Sequence, residues 1–204
     1  AHRALHDATE AVVRTARLIG AADAPFAVSG PVARWASQLD PDGRAIAVVP
    51  NGVDVDRFTP GPVMQRAEVV AFSGTFQPWH GLDLLVDATA RARARVPALR
   101  LLLIGDGPDL AATVERAARA GVPVTATGRV DPGEVPALLR TADLAVAPYP
   151  AEPHYFSPLK VAEYLAAGLP TVACAPRNRW SRSASVRCCS RCSPPSPSRG
   201  RSRS

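Results

Sequence analysis

Between Glu68 and Ala175 the chain repeatedly alternates short apolar runs with longer segments whose apolar residues recur every three to four positions. No other feature restricts its fold so strongly. "EVVAFSG" (68–74), "LRLLLIGDG" (99–107), "PVTATG" (123–128), "DLAVAPY" (143–149) and "PTVACA" (170–175) read as strands. Between them, "HGLDLLVDATARARA" (80–94), "DLAATVERAARAG" (109–121), "DPGEVPALLRTA" (131–142) and "SPLKVAEYLAAG" (157–168) carry helical patterns, the first with Leu82, Leu85, Val86 and Ala90 facing inward. The unbroken apolar stretch around Leu101–Ile104 suits a strand covered on both faces. Strand and helix in alternation predict an α/β domain: an open, mostly parallel sheet with helices on both faces. Ligands in such folds bind beyond the carboxyl ends of the strands. "FSGTF", "IGDGP", "TGRVD" and "APYPAEP" leave those ends and are the segments in which to seek a site.

Upstream, residues 1–20 predict a helix with Leu5, Ala8, Val12 and Ala16 on one stripe. "PFAVSG" (25–30) is a short apolar run ending at a turn. "PVARWASQL" (31–39) predicts a helix with Pro31 in its first turn, and "AIAVVPNGVD" (45–54) a strand stopped by Pro-Asn-Gly.

Composition excludes several classes. At 204 residues and 47% hydrophobic the chain can build a real core, but it has no apolar run of membrane-spanning length. "AHRALHDATE" does not read as a secretory signal, since its charges are mixed and no apolar run follows at once. The net charge of +6 is local: residues 1–176 hold 16 basic and 18 acidic groups (a net of −2), and residues 177–204 hold eight arginines and no acid. The first 176 residues thus give no general reason to expect a nucleic-acid partner. The last 28 residues carry nine serines, no Leu or Ile and no periodicity. They predict a disordered tail over 177–204, whose abrupt onset is what a shifted reading frame in a GC-rich gene would produce. Such an Arg/Ser tail can attract nucleic acid or membrane by charge alone, which stands as the alternative class of function. Cys174 reads as a buried thiol; Cys189 and Cys192 have C-x-x-C spacing but no second pair to complete a zinc site.

"YFSPLKVAEYLAAG" (155–168) contains Lys160, the sole lysine beside 23 arginines. Ser157 suits an N-cap and Pro158 the first helical position, which leaves the amides of Leu159 and Lys160 without intrahelical partners. Such a helix start favours anions, and Lys160 adds a mobile positive charge. The alternative is a capped surface helix with a solvated lysine. Glu163, three residues on, shares a face with Lys160; it either receives hydroxyl groups of a ligand or forms a simple surface pair. Val161, Ala162, Leu165 and Ala166 around it read as buried. In "GTFQPWHG" (74–81) Gly74 permits close backbone approach, and Thr75 and His80 bring polar groups to a strand end. His80 by itself is more often structural. "GDGPD" (105–109) is a glycine turn at a strand end, not a G-x-G-x-x-G fingerprint, and no P-loop, H-E-x-x-H or G-x-S-x-G is present.

These motifs, in this order, resemble the nucleotide-sugar-binding, C-terminal half of a retaining glycosyltransferase of the GT-B fold, family 4 (glycosyl transferases group 1). "VVPNGVDVDRF" (48–58) resembles the interdomain segment. "FSGTFQPWHGLDLLVDA" (72–88) resembles the first loop and helix. "LLLIGDGP" with "TGRVDPGEVPALLRTADLAVAPY" resembles the middle, and "YFSPLKVAEYLAAGLPTVA" the donor-site helix. The likeness covers roughly residues 20–175. Two departures stand out. Tyr155 occupies the first of two family glutamates, Glu163 being the second, and Thr75 and His80 replace the usual Arg and Lys of the first loop. They match a subset of the family and make phosphate binding depend more on Lys160 and the helix amides.

The resemblance implies a Rossmann-like domain over 61–176, an interdomain segment over 46–60 and, over 1–45, the end of an acceptor domain, so that the fold is incomplete at both ends. It implies transfer of a sugar from a nucleotide-diphosphate sugar to an unknown sugar, lipid or small-molecule acceptor, with retention of configuration. Lys160, Glu163 and His80 would be the catalytic groups. Gly74, Thr75, Arg129, Val130, Tyr155, Phe156, Ser157, Pro158 and Leu159 would bind the donor, with Arg129 and Val130 near the base. No metal or other cofactor and no nucleic acid is implied. A cytoplasmic location is implied, with peripheral membrane association open to the full enzyme. The acceptor domain being largely missing, the 204-residue chain is expected to transfer little sugar alone. The "PNGVD" and "SPLKVAEYLAAG" pair speaks against another GT-B protein such as a nucleotide-sugar epimerase.

Overall fold

The computed structural model describes residues 2–62, 67–148, 159–173 and 186–188. The described residues fall into two compact units, the first reaching Gly52 and also taking in Leu159, the second formed by the rest from Val53 onward.

In the first unit, helix α1 (His2–Ala21) is followed by β1 (Phe26–Ala27), α2 (Gly30–Leu39) and β2 (Ala47–Val48). Strands β1 and β2 pair in parallel around α2, so the strand expected over 45–54 shortens to the two residues that find partners in Phe26 and Ala27. Ser29 caps α2, its hydroxyl accepting from the Val32 N–H at 3.4 Å. Ile19, Ala27, Ala33, Ala36 and Ile46 form the core. The predicted inward stripe of α1 is corrected at Val12, which is exposed; the helix is anchored by its last turns, where Ile19 packs inward. There Arg44 donates to the carbonyls of Ile19 and Ala22 at 2.9 and 3.0 Å and to both oxygens of buried Asp40.

The second unit contains β3 (Val69–Ser73), a 3-10 turn (Pro78–His80), α3 (Leu82–Arg93), β4 (Arg100–Ile104), α4 (Leu110–Arg119), β5 (Val124–Ala126), α5 (Val135–Leu139), β6 (Leu144–Ala147), α6 (Leu159–Ala166), β7 (Thr171–Ala173) and β8 (Val186–Cys188). Among the described strands every ladder is parallel and the order is β5-β4-β3-β6-β7-β8. The open parallel α/β sheet expected from the sequence is what forms. Numbered from β3, this is the 3-2-1-4-5-6 order of doubly wound dinucleotide-binding sheets, with its reversal between β3 and β6. The expectation of a structureless 177–204 is corrected at Val186–Cys188, which adds a sixth strand on the open edge of β7. That edge presents a row of backbone donors and acceptors, which local composition does not reveal.

Alternation along the strands creates two cores. Val70, Phe72, Leu101 and Leu103 pack against α3 and α4 through Leu82, Leu85, Val86 and Ala117. Val69, Ala71, Leu102 and Ile104 face α5 and α6 through Leu139, Val161 and Tyr164. This two-sided burial explains why β3 and β4 read as unbroken apolar runs. No helix among the described residues is long and apolar enough to cross a membrane.

Candidate functional site

In doubly wound sheets ligands bind beyond the carboxyl ends of the strands where the order reverses, here β3 and β6, whose following helices α3 and α6 pack on opposite faces. Two segments predicted to carry chemistry meet there: the loop after β3, and α6, which follows β6. Gly74 leaves β3 with φ 154°. A Cβ on it would stand 2.9 Å from Lys160 Nζ and 3.6 Å from His80 Cε1. The missing side chain therefore leaves room for the lysine amine to pass the end of the strand. Lys160 Nζ lies 4.1 Å from the centroid of the Phe72 ring, on the face of the sheet opposite the rest of α6.

Lys160 is only 9% exposed, which rules out the solvated surface lysine and corrects the mobile charge expected from the sequence. Burial brings its pKa down to about 7, against the opposing pull of Glu163. The Phe72 face offers the ammonium a cation–π contact, worth about 2 kcal/mol when water is excluded. Glu163 is half-buried, and burial raises its carboxyl pKa, offset by Lys160 and Arg57.

His80 ends the 3-10 turn and is buried. Its Nδ1 accepts from the Gln77 N–H at 3.2 Å, so the neutral ring carries its hydrogen on Nε2. Burial, then the charge of Lys160, lower its pKa to about 4. The ring packs edgewise against Phe72 at 5.5 Å, which makes Phe72 a shared floor for the two basic side chains. Thr75 is exposed, next to the buried Phe76, which adopts φ 41°.

The "GDGPD" turn has a packing role. A Cβ on Gly107, whose φ is 155°, would fall 1.9 Å from the Thr75 carbonyl oxygen. The Asp109 N–H donates to the Phe76 carbonyl at 2.9 Å, fastening the β4 loop against the β3 loop.

Structure thus brings together Lys160, His80, Gly74 and, on the same helix as Lys160, Glu163. Arg129 and Val130 follow β5, two strands away; Arg129 is exposed, and Val130 packs against the α5–α6 core. Leu159 opens α6 and is exposed. Tyr155, Phe156, Ser157 and Pro158 lie outside the described residues. Sequence reasoning missed Phe72 and Tyr164. Tyr164 is fully buried, and its hydroxyl accepts from the Ser73 N–H at 2.8 Å. Its place on the stripe of Val161 and Ala167 was the available signal. Among the described residues no group of three or more His, Cys, Asp or Glu gathers in a way that could hold a metal ion.

Comparison with known proteins gives this geometry a family. The chain shares 35% identity over 147 residues with a D-inositol 3-phosphate glycosyltransferase of Segniliparus rotundus, covering 65% of this chain and 32% of that protein. It shares 31% over 128 residues with a phosphatidyl-myo-inositol mannosyltransferase of Mycobacterium tuberculosis, covering 60% and 33%. The chain therefore spans about a third of the length of these curated relatives. Among solved structures, the Anabaena HepE complex with UDP and glucose superposes with a TM-score of 0.56 at 22% identity, over 74% of this chain and 44% of that one. The lipopolysaccharide outer core galactosyltransferase WaaB gives 0.55 at 21%, over 74% and 43%. At these identities the likeness concerns the fold. The profile of "Glycosyl transferases group 1" matches residues 67–179, more than half of the chain. This protein belongs to the group 1 glycosyl transferases.

Proposed function

We propose that the second unit is the donor-binding part of a glycosyltransferase that uses a nucleotide-diphosphate sugar. The observation that carries this reading is the buried Lys160 amine beside Gly74, at the carboxyl end of the switch-point strand. Here the diphosphate sits at Lys160 and the α6 amides, and Tyr155, Phe156, Ser157, Pro158 and Leu159 are the further donor-binding residues that the family resemblance implies. Glu163 accepts from ribose hydroxyls, Arg129 and Val130 flank the base, and Gly74, Thr75 and His80 line the sugar end. An arriving diphosphate stabilises the ammonium and draws a proton onto Lys160.

In the reaction, the bond between the anomeric carbon and the diphosphate oxygen breaks. A bond to the acceptor oxygen forms on the same face, giving retention, and the acceptor's proton passes to the departing diphosphate oxygen. Negative charge grows on the leaving diphosphate, where Lys160 and the helix amides already stand in place, a low-reorganisation form of electrostatic catalysis. His80, neutral and held by Gln77, presents a hydrogen-bond donor without adding charge. The diphosphate is met by protein groups rather than by a metal. Residues 1–45 belong to the acceptor-side domain and 46–60 to the interdomain segment. The acceptor, a sugar, lipid or small molecule, is met mainly by chain outside these 204 residues. The chain alone accordingly transfers little sugar, and the whole enzyme works in the cytoplasm or at the inner membrane face.

Calorimetry with UDP, GDP and ADP tests the reading. One of the three should bind, and Lys160→Met should weaken it by roughly 30- to 100-fold, the effect of losing one buried charge-assisted bond. Failure of all three to bind, or equal binding by the variant, would contradict it.

A further inference from the structure

The seam between β3 and β6 is short. Val70 pairs with Leu144 and Ala71 with Ala145, and there the ladder stops. Along β3, Gly74 turns its N–H toward β4, donating to the Ile104 carbonyl at 3.0 Å. By strand alternation the Ser73 N–H points the other way, toward β6. It has run past the last β6 partner, yet it is buried, and a buried backbone donor left without an acceptor is costly. The Tyr164 hydroxyl fills the gap, accepting from the Ser73 N–H at 2.8 Å, with Ser73 Oγ 3.2 Å away. At the opposite end of the seam Asp143 does the same, its Oδ2 accepting from the N–H groups of Glu68 and Val69 at 2.9 and 2.8 Å. Side chains therefore close the seam at both ends. Asp143 does so at the amino end of the strands, away from the candidate site, and Tyr164 at the carboxyl end.

We propose that Tyr164 is a positioning residue of the donor site: its hydroxyl replaces the missing β6 acceptor where β3 and β6 part, and so ties the Gly74 loop to α6 and fixes the seat of Lys160. The linkage is direct. Ser73 precedes Gly74, and Tyr164 lies one helical turn after Lys160 on the same helix. A shift between α6 and the end of β3 moves Nζ relative to both Gly74 and Phe72. Among the described residues, the groups facing Lys160 include His80 from the 3-10 turn, the Phe72 ring from β3 and Glu163 from its own helix. This inference deepens the proposed nucleotide site and rests on it.

Lys160 is the sole lysine, so selective isotopic labelling of lysine gives one side-chain NMR resonance whose titration can be followed without any nucleotide. In wild type the midpoint is expected at about 7. In Tyr164→Phe, which keeps the ring and removes the hydroxyl, the loosened seam admits water. The midpoint should then rise by about one pH unit or more, and binding of UDP or GDP should weaken about tenfold. A residue that only filled the core would lower the melting temperature and leave the Lys160 midpoint in place, and that result overturns the proposal. If the variant does not fold, amide exchange of Ser73 in wild type decides: strong protection supports Tyr164 as its acceptor, and exchange at the rate of exposed amides overturns it. Should wild type bind no nucleoside diphosphate, the nucleotide reading fails, while the ligand-free midpoint still reports on Tyr164.

Discussion

Arg44 and Lys160 are both basic side chains drawn into the protein, and they are held in opposite ways. Arg44 forks onto the buried carboxylate of Asp40 and two carbonyls at the end of α1. The Asp40 partnership raises its already high pKa. Lys160 lies on an aromatic face beside a glycine, and burial drives its pKa down to about 7. The first cation is committed to the fold. The second is held at a strand end in an environment that disfavours its charge, which the proposed diphosphate would restore. The first reads as a staple of the fold, and the proposal makes the second a binding group because it stands at the switch point of the sheet.

Substituting each cation should separate the two roles most sharply. Lys160→Met is expected to weaken nucleoside diphosphate binding by roughly 30- to 100-fold while raising the melting temperature of the free protein by several degrees. Arg44→Met should do the reverse, lowering the melting temperature by several degrees because Asp40 keeps a buried charge without its partner. Nucleotide affinity should stay unchanged. Thermal melts and calorimetry on both variants check the pair; matching behaviour would erase the distinction.

Gly74→Ala is expected to act next most strongly. The new methyl stands 2.9 Å from Lys160 Nζ at a φ of 154°. It should displace the amine and cost about tenfold in nucleotide affinity, with a smaller loss of stability, both measurable on the same variant.

Acidity and alkalinity give a finer test. Between pH 7 and 10.5 the unfolded chain keeps a proton on Lys160 that the folded chain has released, so stability should rise with pH across that window. Lys160→Met should flatten the rise. His80 behaves similarly at lower pH. Between pH 6.5 and about 4 the unfolded chain gains a proton that the folded chain refuses, so stability should fall as pH drops through that range. Denaturant titrations with His80→Gln, expected to reduce the acid loss, measure this smallest effect.

Much of this was legible in the sequence, and the gaps have physical causes. The alternation of Leu101–Ile104 with the stripe of Leu82, Leu85 and Val86 specified the parallel sheet because burial on both faces leaves no polar positions in the strand. Gly74 and His80 were singled out by their place after a strand and Lys160 by its place at a helix start, the family resemblance made them site residues, and they do converge. Their burial was not legible. A lysine at a helix start reads as solvated unless the aromatic face beneath it is known, and Phe72 lies 88 positions earlier in the chain. Tyr164 escaped notice because its role depends on where β3 and β6 separate, a property of strand register rather than of composition. The strand Val186–Cys188 was missed for a similar reason, since it depends on an open edge elsewhere.

The most direct test of the central claim is proton uptake on binding. Calorimetric titration of wild type with UDP or GDP at pH 8, repeated in two buffers of different ionisation enthalpy, counts the protons taken up. Lys160 is mostly neutral there in the free protein, given its pKa of about 7. An incoming diphosphate should restore its charge, with uptake of about 0.9 proton per ligand that disappears in Lys160→Met. Binding whose heat is the same in both buffers, or uptake that persists in the variant, would contradict the assignment of Lys160 as the anion-binding group.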